Sequence, residues 1–204
     1  MKKMILVVVL ATVCLFANAQ DGLKGTWFAG GELSYGSSHI EEGKQTTTTV
    51  LPIVGTFISP DVAIGVGVGY MGSKLKDDGV QIEKTNGFVI KPLVRKYWNI
   101  SGGLFFFGQA ALPVIIGNTT FGDGDASVKV NSTQMAIQLA PGFDYVVNSW
   151  LTIEASFPIF SAGFNTAKPK GGDSTTDFHV NANPFNSVDD RTLGSLQLGV
   201  KFLF

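Results

Sequence analysis

The chain has 204 residues, with 15 Lys and Arg against 16 Asp and Glu, so its formal net charge is −1. This balance argues against a nucleic-acid-binding protein, and the content of aromatic and branched residues argues against a disordered chain. Only 15% of the residues are charged and 45% are hydrophobic. Because ordinary globular domains carry roughly 25% charged residues, we infer that much of the surface faces something other than water.

The N-terminus has the pattern of a secretory signal peptide. Two lysines precede an apolar run over residues 4–17, and Ala17-Asn18-Ala19 supplies the small residues that a signal peptidase reads. The run is shorter than the roughly 20 apolar residues that a membrane-spanning helix needs. We therefore predict a signal peptide over residues 1–19, cleaved before Gln20, followed by a single domain over residues 20–204. The one cysteine leaves with the signal peptide, so no cysteine-ligated metal is expected.

After residue 20 the apolar residues alternate with period two, which places successive side chains on opposite faces of a β-strand. From Val62 to Tyr70 one face holds Val, Ile and Tyr while the other holds only Ala and Gly. The segment from Leu196 to Phe204 repeats the alternation, whereas residues 47–58 are apolar on both faces, which leaves their inward face unassigned. The pattern predicts about eight strands of roughly nine to thirteen residues, the length that a tilted transmembrane strand needs.

Short and long connections alternate between these segments. Ser59-Pro60-Asp61, residues 99–103 and residues 146–149 are short and turn-like. The long polar connections cover residues 37–46, 72–86, 117–132 and 161–192. An outer-membrane barrel with an even number of strands has short periplasmic turns and long extracellular loops. The sequence therefore predicts an all-β fold, an eight-stranded antiparallel up-and-down transmembrane β-barrel.

Aromatic residues gather at the predicted periplasmic ends of the strands, where membrane interfaces favour such rings. This predicted girdle comprises Trp27, Phe57, Trp98, Phe106, Phe143, Tyr145, Trp150 and Phe202. A soluble barrel of the lipocalin type also alternates, but it points its large apolar side chains inward around a ligand. Here the large-residue face holds too many Val, Ile, Leu and Phe side chains for an eight-stranded interior, which favours the membrane barrel.

Three motifs in order carry a resemblance to a known family. Residues 52–57 (PIVGTF), the turn Ser59-Pro60-Asp61 leading into residues 62–70, and residues 91–98 (KPLVRKYW) resemble the small outer-membrane β-barrel family often labelled porin-family or OmpX-like. The resemblance covers essentially the whole predicted mature chain and implies an up-and-down barrel in the outer membrane of a Gram-negative bacterium, in contact with its lipid. Such barrels serve as adhesins, structural proteins, narrow channels and occasional enzymes, so no single activity is implied.

The C-terminal Phe204 ends an alternating strand and resembles the signal by which that family reaches the barrel-assembly machinery. The resemblance thus implies that this machinery is a partner.

Charged side chains fall on the predicted inward face, where a membrane protein carries charge only at a cost. The predicted lumen network comprises Glu32, Lys91, Arg95, Gln109, Gln134, Gln138, Asp144, Glu154, Gln197 and Lys201. Because side chains fill the lumen of an eight-stranded barrel, we interpret the network as a hydrogen-bonded plug. The alternative is a narrow porin-like channel for small solutes, lined by the same groups.

Signals for catalysis are weak. His39 and His179 are the only histidines, both in predicted extracellular loops, and no spacing suggests a Ser-His-acid arrangement. We therefore predict a protein that is not an enzyme and has no catalytic residues, no metal site and no cofactor, with a structural or surface-interaction role. A lipid-modifying enzyme is the second alternative. Residues 161–192, the longest predicted loop, are the predicted site for any extracellular ligand.

Five prolines lie inside the predicted strands, although proline cannot donate a ladder hydrogen bond. They are Pro52, Pro92, Pro113, Pro141 and Pro158. We expect β-bulges to accommodate them. Lys96 falls on the predicted lipid face near the periplasmic end, where a lysine can extend to the headgroups.

Overall fold

The computed structural model describes residues 23–40, 43–77, 80–122, 127–169, 171–182 and 196–204. The predicted signal peptide and its cleavage site lie outside these residues. All elements within the described ranges are β-strands, and no helix there is long and apolar enough to cross a membrane.

Eleven strands are present in the described chain, and every pairing between them is antiparallel. They are β1 (Trp27–Ile40), β2 (Gly43–Ser59), β3 (Val62–Asp77), β4 (Val80–Ser101), β5 (Leu104–Ala111), β6 (Val114–Phe121), β7 (Val128–Asn148), β8 (Leu151–Ser156), β9 (Phe160–Pro169), β10 (Thr175–Asn181) and β11 (Gln197–Leu203).

The strands close into a ring with eight positions, as the sequence predicts. β1 to β4 pair in order, and β5 and β6 together fill the fifth position between β4 and β7. β8 and β9 fill the seventh position beside β7, and β11 pairs with both β8 and β1. Each ring position pairs with the position that follows it along the chain, so the fold is an up-and-down antiparallel barrel.

The polarity of the inner and outer faces of this barrel is the reverse of that in a water-soluble barrel. On β4, Lys91 and Arg95 are buried in the interior, whereas Ile90 and Val94 are exposed on the outside. The same alternation runs along β3, where Val66 is outside and Gly65, Gly67 and Gly69 are inside. Charged side chains are therefore inside and branched apolar side chains outside, which is the arrangement that a bilayer favours.

β2 shows where the inward face of residues 47–58 lies. Leu51, Ile53 and Phe57 are buried in the interior, and Val50 and Val54 are exposed. The assignment of Phe57 to the outer aromatic girdle is therefore wrong. Because both faces of this segment are apolar, its sequence does not distinguish inside from outside, and the pairing of Phe57 with the buried Ala63 does so instead.

Three tight connections define the short-turn end of the barrel: Pro60-Asp61, Gly102-Gly103 and Ser149-Trp150. Gly102 has a φ of +52°, a left-handed conformation that glycine adopts without steric cost. The side-chain amide of Asn99 closes this turn by donating to the Gly102 carbonyl oxygen at 2.9 Å.

At the opposite end, the predicted long loops are mostly strand, which corrects the sequence interpretation. β1 and β2 stay paired up to Ile40 and Gly43, and β3 and β4 up to Asp77 and Val80. Within the longest predicted loop, residues 161–169 belong to β9 and residues 175–181 form β10, while residue 170 and residues 183–195 lie outside the described residues. The polarity of these threonine-rich segments predicts loops, but polarity indicates contact with solvent and does not determine the backbone conformation.

The prolines are accommodated in two ways. The register runs unbroken through Pro52, Pro92 and Pro113, so bulges are not needed there. Pro141 lies in the part of β7 that faces the irregularity at Pro158. Around Pro158 the prediction holds, because Ser156 and Phe160 lie opposite Gly142 and Leu139 of β7, so that four steps on one strand face three on the other.

Candidate functional site: the barrel interior

Six charged side chains from five strands form one chain of ion pairs in which the signs alternate. In order they are Asp144, Lys201, Glu154, Arg95, Glu32 and Lys91, and successive pairs lie 2.5, 3.1, 2.6, 3.2 and 2.8 Å apart. All six side chains are buried. Because three acids meet three bases, the chain has no formal net charge.

Arg95 is the centre of this ion-pair chain. Its guanidinium donates two hydrogen bonds to the carboxylate of Glu154, at 2.6 and 3.1 Å, and one to Glu32 at 3.2 Å. Its Nε donates to Gln109 Oε1 at 2.6 Å. β8 and β1, which carry the two acids, lie three ring positions from β4 on either side. The planar fork of arginine donors thus connects opposite walls across the lumen.

A layer of aromatic rings lies beside the charges toward the short-turn end. Phe28, Phe57, Tyr97 and Phe107 are buried, with successive ring centroids 5.9, 5.5 and 5.6 Å apart. The Arg95 guanidinium lies 4.8 Å from the centre of the Phe107 ring, which is cation–π distance. Lys201 donates to the Tyr97 hydroxyl at 3.0 Å, so this layer and the ion-pair chain form one packed unit.

Glycines opposite the largest inward side chains provide the space for them. A methyl group added to Gly199 would lie 2.7 Å from Cγ of Glu154, and one added to Gly142 would overlap the Phe107 ring. The alternation of small and large residues between neighbouring strands is how small barrels fill their interior. The small face seen in the sequence is therefore a packing requirement of the ion-pair chain.

The predicted lumen residues divide into two groups. Glu32, Lys91, Arg95, Gln109, Asp144, Glu154 and Lys201 form the unit just described. Gln134, Gln138 and Gln197 also face inward but are only half-buried. Sequence reasoning missed the rings of Phe28, Tyr97 and Phe107, although Tyr97 shares the parity of Lys91 and Arg95 and could have been found from it.

Seven of the eight predicted girdle residues lie on the outer face near the short-turn end. Two groups of rings pack there, the first from Trp98, Phe106 and Phe143, with centroids 5.6 and 5.7 Å apart, and the second from Trp150 stacked on Phe202. Trp27 and Tyr145 are exposed on the same face. Phe204 is anchored by its backbone, since its N–H donates to the Trp27 carbonyl oxygen at 2.8 Å.

Lys96 lies on the outer face and pairs with Asp61 in the turn between β2 and β3. The hydrogen bonds that Asp61 accepts from Lys96 and from Ser59 lower the pKa of its carboxyl group below the usual value. Both side chains are exposed, so this pair is a surface feature of the short-turn end.

The two histidines fall on different strands. His39 is in β1, in register with Lys44, and His179 is in β10, in register with Gly163 and exposed. The described part of the chain contains no group of three His, Cys, Asp or Glu side chains that could hold a metal ion.

Comparisons with known proteins concern the fold. No family model and no curated protein matches the sequence. Among solved structures, Neisserial surface protein A is 14% identical, with a TM-score of 0.52 over 89% of this chain and 100% of that one. The N-terminal β-barrel domain of OprF and the outer membrane protein OprG, both from Pseudomonas aeruginosa, are 14% and 15% identical. Their TM-scores are 0.44 and 0.46, over 89% and 92% of this chain and 98% and 99% of theirs.

The closed antiparallel ring agrees with the likeness in fold to the neisserial protein. As the sequence resemblance implied, the chain has the fold of the small outer-membrane β-barrel proteins.

Proposed function

We propose that this chain is an integral outer-membrane protein with a closed lumen, which stabilises the membrane or interacts with partners at the cell surface. The single observation that carries the proposal is the alternating ion-pair chain across the lumen, packed on buried aromatic rings.

The outer face supports the location in a membrane. Branched and aromatic side chains are exposed along all the membrane-length segments, among them Ile64, Val66 and Val68 on β3. A patch of this extent would be a severe aggregation hazard in water, whereas lipid contacts favour it. The short-turn end, with its tryptophans, is then the periplasmic end, and the opposite end is extracellular.

The interior supports the closed state. Arg95 and Phe107 are each 0% exposed, and Glu154 is 3% exposed. A solute crossing the lumen would have to break the bidentate contact between Arg95 and Glu154 and displace the rings beneath it. Separating buried, hydrogen-bonded charges costs several kcal/mol, which opposes spontaneous opening.

The extracellular end supports a role at the surface. Paired strands extend there beyond the apolar band, and their outward residues include Lys44, Thr48 and Thr133, all exposed. Rigid strands that present polar side chains form a stable scaffold for contacts with other molecules. The β9–β10 hairpin, with Phe178 exposed, is the part best placed for an extracellular ligand.

Assembly and processing follow the same proposal. The C-terminal strand ending at Phe204 engages the barrel-assembly machinery, and the signal peptide directs export. The outer membrane supplies the lipid partner.

The test is single-channel conductance of the refolded protein in a planar lipid bilayer, after a shift in electrophoretic mobility on boiling has verified that the barrel is folded. We expect no conductance steps from the unmodified protein. Arg95→Ala should introduce leak currents, whereas the control Lys96→Ala, on the outer surface, should not. Stable ohmic steps from the unmodified protein, altered by Glu32→Gln, would instead identify the narrow channel.

A further inference from the structure

Four lysines lie close together at the end of the barrel opposite the short turns. In the antiparallel registers, Lys44 of β2 lies directly opposite Lys76 of β3, and Lys74 of β3 lies directly opposite Lys84 of β4. Lys74 and Lys76 are two residues apart on one strand and therefore point to the same side of it. Directly opposite residues have Cβ atoms about 5 Å apart. The four side chains, which we call the lysine cluster, thus form one contiguous patch across three strands.

The lysine cluster is on the outer face. Lys74 and Lys76 share the parity of Val66, which is exposed on the outer face of β3. Lys44 and Lys84 lie on the same face, because residues directly opposite each other point to the same side of a sheet. Three of the four lysines are exposed, and Lys84 is half-buried.

The charge of the lysine cluster is not balanced by the described residues. Two acids lie near it in sequence, Asp77 and Glu83, and both have inward parity. Asp77 lies opposite the buried Gly43, and Glu83 accepts a hydrogen bond at 3.4 Å from the hydroxyl of Thr85, which faces the lumen. Within the described chain, none of the four lysines forms an ion pair. Because like charges directly opposite each other destabilise a sheet, an anion from outside the chain would offset their repulsion.

An apolar platform lies beside the lysine cluster on the same three strands. Tyr70 of β3 lies opposite Val50 of β2 and Phe88 of β4, and all three side chains are exposed on the outer face. A single row of outward residues separates this platform from the lysines, and its β3 member is Gly72, which has no side chain. A ligand that lies along β3 therefore contacts both the apolar platform and the positive charge.

The depth of the lysine cluster matches that of lipid headgroups. Lys74 is eight residues beyond Val66, which is the middle of the apolar stretch over residues 62–70. With a rise of about 3.3 Å per residue and a strand tilt of about 40°, this separation is roughly 20 Å along the membrane normal. The hydrocarbon core extends about 15 Å from the midplane, and the headgroup region extends roughly 5–7 Å further. The lysines therefore lie at the level of the lipid phosphates.

We propose that the lysine cluster binds the phosphate group of an anionic lipid in the outer leaflet, whose acyl chains lie on the platform of Val50, Tyr70 and Phe88. A lysine ammonium binds phosphate as a point charge. A soluble anion would use the charge alone, whereas an amphipathic lipid uses both the charge and the adjacent apolar platform. This inference rests on the proposed location in the outer membrane, and it adds a class of lipid and a binding site to that proposal.

The experiment measures which lipid contacts the outer face of β3. The variant Val68→Cys, at an exposed position on that face, receives a bimane fluorophore and is refolded into phosphatidylcholine vesicles. A minor fraction of the lipid carries brominated acyl chains, which quench bimane on contact. This brominated fraction is phosphatidylglycerol in one set of vesicles and phosphatidylcholine in the other, so the two sets compare an anionic with a zwitterionic headgroup.

Two pairs of lysine substitutions are made in this labelled protein. Lys74→Gln with Lys84→Gln removes one directly opposed pair of the lysine cluster. Lys129→Gln with Lys168→Gln is the matched control, because these two lysines are exposed on β7 and β9, outside the cluster. Both pairs change the net charge equally. The shift in electrophoretic mobility on boiling verifies that each variant is folded.

We expect brominated phosphatidylglycerol to quench position 68 roughly twofold more than brominated phosphatidylcholine, because basic side chains at a membrane surface attract anionic headgroups. Lys74→Gln with Lys84→Gln should remove this preference, and the control pair should retain it. Equal quenching by the two lipids in the unsubstituted lysine background would overturn the lipid site and leave the membrane location intact.

Three other results would also contradict the proposal. A preference that the control pair removes as well would arise from general surface charge and not from the lysine cluster. A preference that millimolar inorganic phosphate removes at constant ionic strength would identify a free anion as the ligand in place of a lipid. An absence of quenching by either lipid would contradict the location in a membrane, on which the proposed function itself depends.

Discussion

The half of this barrel next to the short turns, which is the periplasmic half in the proposed orientation, is closed by long charged and aromatic side chains. The opposite half, extracellular in that orientation, is lined by short hydroxyl and amide side chains. Arg95 and Phe107 are fully buried in the first half, while Thr47 and Thr85 in the second are only partly buried.

One ring of strands can therefore surround two different interiors, one filled by side chains and one that is not. An eight-stranded barrel is filled only where its inward side chains are long enough to meet across the lumen. Where threonine and serine face inward, neighbouring strands are joined by the backbone ladder and by local pairs such as Thr85–Thr119. Stability therefore resides mainly in the periplasmic half, and access for other molecules in the extracellular half.

The largest effect should come from breaking the centre of the periplasmic half. Arg95→Ala leaves the buried carboxylates of Glu154 and Glu32 without their shared partner, and such a loss costs about 3–5 kcal/mol. Urea unfolding of the refolded barrel in vesicles measures this loss of unfolding free energy. The loss of unfolding free energy for Arg95→Lys should lie between zero and the loss for Arg95→Ala, because an ammonium cannot reproduce the bidentate contact. A loss below about 1 kcal/mol, the range of exposed pairs, would show that the ion-pair chain is solvated.

The outer face provides the next test. Val66→Arg places a charge on the lipid side of β3, with Val66 exposed on that face. We expect a loss of about 2–4 kcal/mol near the bilayer midplane, by the same unfolding assay. Thr48→Arg, on the outer face of β2 beyond the apolar band, is the matched control and should cost about 0–1 kcal/mol. Equal costs at the two positions would contradict the depth assigned to the band.

Two glycines compare the packed interior of the barrel with its outer face. A methyl group at Gly55 would overlap the Phe28 ring and the Ile64 carbonyl oxygen, whereas one at Gly72 would meet only the Tyr70 ring at 3.4 Å or more. Gly55→Ala should therefore cost about 1–3 kcal/mol, the range for overpacked sites. Gly72→Ala should change the unfolding free energy by less than about 0.5 kcal/mol, as surface substitutions do. Similar values for both would mean that the periplasmic interior is loosely packed.

The smallest effect concerns the surface pair of Asp61 and Lys96. Because hydrogen bonds from Lys96 and Ser59 lower the pKa of Asp61 in the folded protein, its stabilising contribution is present at neutral pH. That contribution disappears only as the pH falls through the lowered pKa. A carboxyl titration of Asp61 by NMR should show the low value, and Lys96→Ala should raise it. A pKa unaffected by Lys96→Ala would show that the pair does not persist in solution.

Particular residues show how far the sequence predicts this structure. Period-two alternation predicted the facing of Arg95, Glu154 and Lys201 correctly, because parity along a strand is local information. It did not predict the facing of Phe57, since both faces of that segment are apolar. Nor did it predict that residues 161–169 and 175–181 form strands, because their polarity resembles that of loops.

The sequence by itself determined the eight-position antiparallel barrel, its apolar outer face and the set of charges inside. Only the tertiary structure decided that Arg95 joins Glu154 and Glu32, that aromatic rings pack beneath them, and that β10 and β11 lie on the same side of the seventh ring position. The physical reason is that alternation is fixed within each strand, whereas contacts across the lumen depend on the stagger of all the strands around the ring.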